Sequence, residues 1–537
     1  MKLHVFFTGL VSVGLLLSTS GCSSLKQGAD YHPQTPKLKP VNDTFYAIGS
    51  VDVSTMLPQS GFYPLMLAPD SLAARMMLMQ NAKKSIDLQY YEILDDDVGR
   101  IIFKNALDAA DRGVKVRILM DDIGIINQDK QLSTLNLHPN IEIRVFNPTS
   151  YRGSWKMVEM GFKPESSGRR MHIKSFNVDN CAIIIGRRNL AVEYFGFDLK
   201  KIFLDNDLLI VGPVASQLSY EFDAYWNYEK VFSYDKLSKI SKEKLEIIRK
   251  GLSTFKIDIE GNPYVSLLEQ SQFKKDFDAK GLDFIFADAK ILYDKPQKIS
   301  MDAYDDSTHL VKQLVPYLRA AQKSLYIVNP YFVPNEKMLG LFKELRERGV
   351  EIHVLTNSLP SADAPYVYAF YKEYHKRLLD MGVDLHEVKT SAFRGDAYSH
   401  KIKEETGHFL EIQLHGKTML IDEETLIIGS MNLDTRSSYQ NAEIVAVVKN
   451  KALAQQEMKR FFNIAFDIKN SFKLSTEPVP PYKEFATGRE IVGETQIVWT
   501  SENLDGTTTK FYDDAGASFM KKLESNLIYY FPADEQI

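Results

Sequence analysis

The 537-residue chain has only two cysteines, Cys22 and Cys181, so a disulfide framework is excluded and the fold must rest on its core. It lacks a dominant charge: 65 basic against 70 acidic residues leave −5, and no bulk basicity points to nucleic acid, although a local basic groove would not register in that sum. No GxxxxGKS/T loop is present, so nucleoside-triphosphate chemistry has no support. The apolar run from about Val5 to Leu17 is too short to span a bilayer, which takes ~20 residues. What is present is a normal globular composition, 44% hydrophobic and 25% charged, over a length that suggests about two to three domains.

The N-terminus, MKLHVFFTGLVSVGLLLSTSGC, carries one lysine, then the apolar run, then small residues, which is a secretory signal pattern over residues 1–21. It stops at Gly21-Cys22, followed by Ser23-Ser24, and so resembles a bacterial lipoprotein signal with Cys22 as the lipidated first residue of the mature chain. Thr19 departs from that pattern, where an apolar residue is usual. An ordinary cleaved signal, or a short uncleaved anchor with an incidental cysteine, is the alternative. Residues 22–65 open with a polar, Pro-rich tract and read as a tether, with structured sequence beginning near residue 60. Cys181, in CAIII, reads as a small buried apolar residue.

From there the chain repeats itself. AKKSIDLQYY (82–91) is answered by AQKSLYIVNPYF (321–332), and DRGVKVRILMDD (111–122) by ERGVEIHVLTNS (347–358). In each, a helix end leads into a β-branched or alternating run that reads as a strand. The expected organisation is α/β: a first half over 66–235, a helical linker over 236–290, a second half over 291–470 and a C-terminal extension over 471–537.

The repeat carries one motif twice. MHIKSFNVDN (171–180) holds His172, Lys174 and Asp179, and LHGKTMLIDE (414–423) holds His415, Lys417 and Asp422 at the same spacing. A glycine and an asparagine follow at identical offsets: Gly186 and Asn189, then Gly429 and Asn432. The first copy reads as strand, turn at Asp179-Asn180, strand. Alternation along a strand projects His172 with Lys174, and His415 with Lys417, from one face. Two histidines, two lysines and two asparagines suit a phosphate oxyanion. They do not suit a metal, because lysine is not a ligand and no carboxylate or second histidine lies at ligand spacing. In phosphodiester cleavage one neutral histidine attacks phosphorus while a second, protonated, protonates the leaving oxygen. One motif holds half of that pair, which accounts for two copies.

These motifs resemble those of the phospholipase D superfamily, whose mark is a duplicated HxKxxxxD followed by a Gly-(Gly/Ser)-x-Asn. SIDLQYYEILDDDVG, RGVKVRILMDD, EYFGFDLKKIFLDNDLLIVGP, VNPYFVP and GSMNLDTRSSYQNAE are similar to its cardiolipin-synthase-C-type branch. The resemblance covers nearly all of 66–470 and, loosely, the tail to 537. It implies two fused halves about a pseudo-twofold axis with one shared site, and phosphatidyl transfer or hydrolysis without a metal or other cofactor. It implies His172 and His415 as nucleophile and general acid/base, in either order, and Lys174, Lys417, Asn189 and Asn432 as the phosphate cradle. It places Asp207 and Glu443 on the far nitrogens of the histidines, and leaves Asp179 and Asp422 a structural role. The implied substrates are phospholipids, phosphatidylglycerol and phosphatidylethanolamine among them. Ser23 after the cysteine resembles outer-membrane sorting, for a lipid-anchored protein facing the periplasm.

The first copy reads Gly186-Arg187-Arg188-Asn189, with Arg187 where glycine or serine is usual. Three outcomes stand open: Arg187 turns outward, contacts an anionic headgroup, or impairs the first half. The preceding loop, RGSWKMVEMGFKPESSGRR, is basic with interleaved apolar residues; it borders a lipid entrance or is simply solvated. The leading expectation is a membrane-tethered phosphatidyltransferase that passes the group to an alcohol through a covalent phosphohistidine; hydrolysis to phosphatidic acid, on the same machinery, is the alternative. A nuclease of the superfamily, and a non-enzymatic envelope scaffold, are the remaining alternatives.

Overall fold

The Asp-Asn and Asp-Glu pairs that end the first strand of each motif hairpin set the local geometry. Asp179 and Asn180 both have φ of 54°, and Asp422 and Glu423 have 53° and 54°. Two successive residues at positive φ make the primed turn whose twist suits a hairpin. Each aspartate then clamps a neighbouring element. The Asp179 carboxylate accepts from the backbone N–H groups of Lys83, Lys84 and Ser85, and Asp422 accepts from those of Gln322, Lys323 and Ser324. Both clamps hold the helix-to-strand turn of the repeated AKKS/AQKS stretch, so the motif aspartates act on the fold and stand away from the histidines.

The computed structural model describes residues 59–528, apart from most of 126–133 and 238–262, the stretches 150–167, 198–199, 302–304 and 484–489, and the single positions 280, 396, 492 and 504. The signal sequence, Cys22, most of the tether, and all but the last few residues of the basic loop before the first motif lie outside the described residues.

The first half contributes β1 (Ser60–Leu65), β2 (Ser85–Glu92), β3 (Lys115–Gly124), β4 (Ile141–Phe146), β5 (Lys174–Val178), β6 (Ala182–Ile185), β7 (Lys201–Leu204), β8 (Asp207–Val211) and β9 (Val231–Ser233). The second contributes β10 (Ile285–Tyr293), β11 (Ser324–Val328), β12 (Glu351–Asn357), β13 (Asp384–Val388), β14 (Glu411–Leu414), β15 (Thr418–Ile421), β16 (Thr425–Gly429) and β17 (Ile444–Lys449). β18 (Ser471–Pro478), β21 (Thr495–Glu502) and β22 (Thr508–Phe511) follow, with a two-stranded ribbon of β19 (Tyr482–Lys483) and β20 (Glu490–Ile491) between them. Helices α1 (Ala68–Asn81) and α2 (Asp97–Asp111) flank β2, and α3 (Leu310–Arg319) and α4 (Glu336–Glu347) flank β11. The likeness reaches the helix ends. The side chains of Asp96 and Asn335 cap α2 and α4 from the same position, and Gly113 and Gly349 follow them at φ of 94° and 83°.

Eighteen of the strands form one sheet in the order β9-β4-β3-β2-β5-β6-β8-β1-β10-β17-β16-β15-β11-β12-β13-β18-β21-β22. Outward from the β1–β10 seam the two sides match strand for strand, including the parallel trios β2-β3-β4 and β11-β12-β13. The seam corrects two expected boundaries. β1 falls inside the expected tether, and β10 begins inside the expected linker. The extension beyond residue 471 is also not separate. β18 pairs antiparallel with β13, and β21 and β22 continue the second half's side of the sheet. Buried apolar residues pack on both sides, the row Leu88, Ile118 and Ile143 in one half matching Ile327, Val354 and Leu385 in the other, all fully buried.

Candidate active site

Each histidine motif leaves its own half and docks on the backbone of the other. In the first, Met171 forms a parallel bridge with Ala442, and the His172 N–H donates to the Ala442 carbonyl at 2.8 Å. In the second, β14 pairs parallel with β7, Leu414 opposite Leu204, and the His415 and Gly416 N–H groups donate to the Leu204 carbonyl. The residue after each bridged position is a histidine on one strand and a carboxylate on the other. Register alone therefore sets Glu443 beside His172 and Asp205 beside His415. His172 Nδ1 lies 3.0 Å from Glu443 Oε1, and His415 Nδ1 lies 2.9 Å from Asp205 Oδ2. Each carboxylate occupies Nδ1, which leaves Nε2 of both rings on the side away from it.

The aspartate that serves His415 is thus Asp205, not Asp207. Asp207 faces the interior of the first half, where its carboxylate meets Arg75 at 3.1 Å, Arg188 at 3.2 Å and the Ser71 hydroxyl at 2.5 Å, and accepts from the Arg187 N–H at 3.1 Å. The glycine of the motif makes room for it: a Cβ on Gly186 would lie 1.7 Å from Asp207 Oδ1. The sheet registers agree. Gly429 opposes Val445, two residues after Glu443. Ile185 opposes Leu208, which sets the following Gly186 opposite Asp207, two residues after Asp205.

The lysines fold back on their own motifs. Lys174 Nζ donates to the His172 carbonyl at 2.7 Å, and Lys417 Nζ donates to the His415 carbonyl at 3.0 Å while standing 3.4 Å from His415 Nε2. The charges of both lysines bear on both histidines, and Lys417 bears on Lys174. Burial, then the charges of Lys174 and Lys417, hold His172 well below its usual value. Burial, then Lys417, brings His415 down to about 4, against the opposing pull of Asp205. Burial lowers Lys417 to about 8, and lowers Lys174 as well. The site is a buried cluster of mutually depressed cation-forming groups, and a bound anion would raise each of them. The asparagines stand nearly buried, 3% exposed for Asn189 and 4% for Asn432, and among the described residues the side-chain carbonyl of each has no hydrogen-bond partner. Asn189 Nδ2 donates to the Tyr194 hydroxyl at 3.0 Å.

The two acids are supported differently. Glu443 accepts from the Ser430 hydroxyl at 2.5 Å and the Ser437 hydroxyl at 2.8 Å, yet burial pushes it up to about 7. Burial would raise Asp205 too, but His415, Arg188 and Arg187 outweigh it and hold Asp205 below the usual carboxylate range. Arg187 stands at the position of Ser430. It does not turn outward. It is fully buried and crosses the boundary between halves, where Nε donates to the Gly429 carbonyl at 3.0 Å and the guanidinium also donates to the Thr418 hydroxyl. Its Nη1 lies 4.0 Å from Asp205 Oδ1.

Several neighbours of the site give no signal in the motif. Tyr91 packs edge-on against His172 at 5.2 Å and under Lys174 Nζ at 5.1 Å, while Tyr194 and Phe203 lie 5.1 and 5.2 Å from His415. Glu92, adjacent to Tyr91, is pushed up to about 7 by burial and by Glu193. Tyr91 and Glu92 end β2, whose strand pattern marks burial but not what the ring touches. Among the described residues no group of three His, Cys, Asp or Glu side chains is arranged to hold a metal ion.

Two like halves that exchange histidine–carboxylate pairs across one buried cluster define a phospholipase-D-type site. The family model described as "Cardiolipin synthase, PLD-like domain" matches the chain twice, over residues 76–226 and 314–465. Cardiolipin synthase C of Escherichia coli (strain K12) is 33% identical over 412 residues, covering 76% of this chain and 85% of that protein. An uncharacterized protein of Helicobacter pylori (strain ATCC 700392 / 26695) is 35% identical over 400 residues, 72% of this chain and 76% of its own. The fold is shared with a phosphatidylserine synthase of Haemophilus influenzae Rd KW20, at a TM-score of 0.52 and 13% identity over 80% of this chain and 92% of that one. The chain belongs to the cardiolipin synthase family of phospholipase-D-like proteins.

Proposed function

We propose that the protein is a phosphatidyltransferase acting on membrane phospholipids through a covalent phosphohistidine. The observation that carries this reading is the pair of histidines with Nδ1 held by a carboxylate of the opposite half, set among two lysines. The Nε2 lone pair of one histidine attacks phosphorus. The bond from phosphorus to the headgroup oxygen breaks, and that oxygen takes the proton from the other imidazolium. In the return step the acceptor hydroxyl gives its proton to that imidazole, its oxygen bonds to phosphorus, and the phosphorus–nitrogen bond breaks. The phosphodiester anion offsets the mutual repulsion of Lys174 and Lys417 and raises the acid histidine when the substrate is present. Asn189 and Asn432 offer side-chain amides to the phosphoryl oxygens. No step needs a metal or cofactor.

The acceptor decides between transfer and hydrolysis. Water is present at ~55 M, and an alcohol competes only when held in place, where effective molarities reach about 10⁵ M or more. The relationship to cardiolipin synthase C supports an alcohol acceptor, such as the hydroxyl of a second phosphatidylglycerol. On the same reading Cys22 anchors the protein in the bacterial envelope, facing the periplasm from the outer membrane; intact-mass analysis finding a mature N-terminus other than Cys22 would remove that part. The test of function is to label the phosphatidyl group of phosphatidylglycerol and follow products with purified protein while a primary alcohol is titrated. Cardiolipin and phosphatidyl-alcohol are expected. Phosphatidic acid alone at every alcohol concentration would replace the transferase reading with the hydrolase.

A further inference from the structure

Helix α6 (Phe519–Ile528) packs the wrong way round for a helix in water. Soluble amphipathic helices turn their apolar stripe to the core. Here Phe519, Met520, Leu523 and Leu527 recur at helical spacing on the outer face, with exposures of 78%, 68%, 40% and 54%. The inner face is polar. Lys521 Nζ donates to the Pro360 carbonyl at 2.7 Å, Lys522 pairs with Asp513 at 2.7 Å, and Ser525 is 1% exposed. Scattered exposed apolar side chains are ordinary, but an aligned stripe on a helix held by its polar side calls for a non-aqueous neighbour.

The position of α6 says which neighbour. It packs against α5 (Pro365–Lys372). Asp363, just before α5, accepts from the Tyr331 hydroxyl at 2.7 Å, and its charge acts on Lys417 and Tyr194. Tyr366 on α5 is 45% exposed and feels Asp363, Asp434 and Arg436. The helix is tied to the catalytic cluster by a short chain of contacts: Lys521 holds the Pro360 carbonyl, and the next residue, Ser361, donates to Asn357, whose side-chain amide pairs with the backbone of Leu414 beside His415. The apolar stripe therefore borders the side of the site where a lipid substrate must leave its bilayer. Ten residues are too few to span a membrane but enough to lie in its headgroup–acyl boundary.

We propose that the outer face of α6 docks on the phospholipid bilayer and seats the site mouth at the lipid surface. This rests on the phospholipid reading of the site. The test uses full-chain protein reconstituted on vesicles of phosphatidylglycerol and phosphatidylethanolamine, so that any N-terminal anchor is common to all samples. A Phe519→Trp variant should gain emission, relative to wild type, that is quenched when the acyl chains carry bromine. A Phe519→Asp/Leu523→Asp variant should lose roughly tenfold or more of its turnover on vesicles, yet keep it on a short-chain phospholipid dispersed below its micelle concentration. If the emission gained by the Phe519→Trp variant stays unquenched, the proposal is overturned, as it is by full vesicle turnover in the double variant. A double variant that instead converts a dimer to a monomer in sedimentation, with that added emission unquenched, assigns the face to a second copy and also overturns it. A wild-type protein that turns over neither lipid form, alongside a Phe519→Trp variant whose added emission is quenched, refutes the proposed function while supporting the docking.

Discussion

Asp205 and Asp207 are two residues apart and both buried, yet the structure gives them separable roles, and replacing each by asparagine separates them. Asp205→Asn keeps the volume and leaves an amide oxygen beside His415 Nδ1, but removes the charge that steadies the imidazolium. Arg187 loses its nearest opposite charge, 4.0 Å away, and keeps its bonds to the Gly429 carbonyl and the Thr418 hydroxyl. Turnover should fall about 10²–10⁴-fold, with only a small change in melting temperature. Asp207→Asn strips the carboxylate from Arg75 and Arg188, both 1% exposed and within 3.2 Å. Leaving buried guanidinium charges without their partner costs roughly 3–5 kcal/mol, so the melting temperature should drop while the folded fraction turns over near the wild-type rate. Those arginines hold Asp207 at about 2 against an ordinary 3.8. A depressed carboxylate stabilises the fold above its unfolded value and loses that contribution as pH falls through its folded one. The stability gap between wild type and Asp207→Asn should therefore be full above pH 3.8 and narrow towards pH 2, by roughly 2 kcal/mol. The assays are denaturant unfolding followed by circular dichroism, and turnover per folded molecule. An Asp205→Asn protein with full turnover, or an Asp207→Asn protein with unchanged stability and lost turnover, would refute the assignment.

His172→Ala and His415→Ala should each abolish turnover with folding intact by circular dichroism, since each motif supplies half of one site; near-wild-type activity in either breaks the shared-site scheme. Arg187→Ser, which copies the position of Ser430, should destabilise the fold by a few kcal/mol, because it orphans the buried Gly429 carbonyl and takes a neighbouring charge from buried Asp205. It should also move the acid limb of the pH–rate profile to higher pH, because Arg187 is one of the charges holding Asp205 down; an unmoved limb in a destabilised variant would leave Arg187 a purely structural pin. Turnover should survive EDTA at constant ionic strength, and loss reversed by a single divalent ion would count against a two-histidine mechanism.

The fold and the shared site were legible because the repeat writes the same local physics twice. Helix ends with Arg-Gly, β-branched runs and Asp-led turns recur in order, and each is decided by neighbours in sequence. The seam was not legible, because β1 and β10 pair with each other across more than 200 residues and neither carries a turn signal that assigns it to a sheet. The choice of Asp205 over Asp207 was not legible for a related reason. The two have the same parity along LDND, so strand alternation cannot separate them, and what separates them is the register between β7 and β14, elements of opposite halves. The burial of Arg187 depended likewise on Gly429 and Thr418, 242 and 231 residues away. Sequence periodicity reports which face a residue shares with its neighbours, not what the far half places opposite.

The exchange of carboxylates has a consequence for why the halves are fused. A site in which each histidine is oriented by the other half cannot be assembled by one half alone, so each half is incomplete without its counterpart. Two identical halves would still make two identical histidine–carboxylate pairs, although the proposed reaction asks one histidine to stay neutral and attack while the other carries a proton. Fusion lets the pairs diverge. Here the divergence lies behind the rings: Ser430 donates a hydrogen bond to Glu443, which burial keeps near 7, while Arg187 sets a charge near Asp205, which stays ionised. A carboxylate held ionised favours a proton on its histidine, and one that is half neutral favours it less. The arginine in the first motif thus departs from the repeat at a position where a departure makes two otherwise matched histidines chemically unequal.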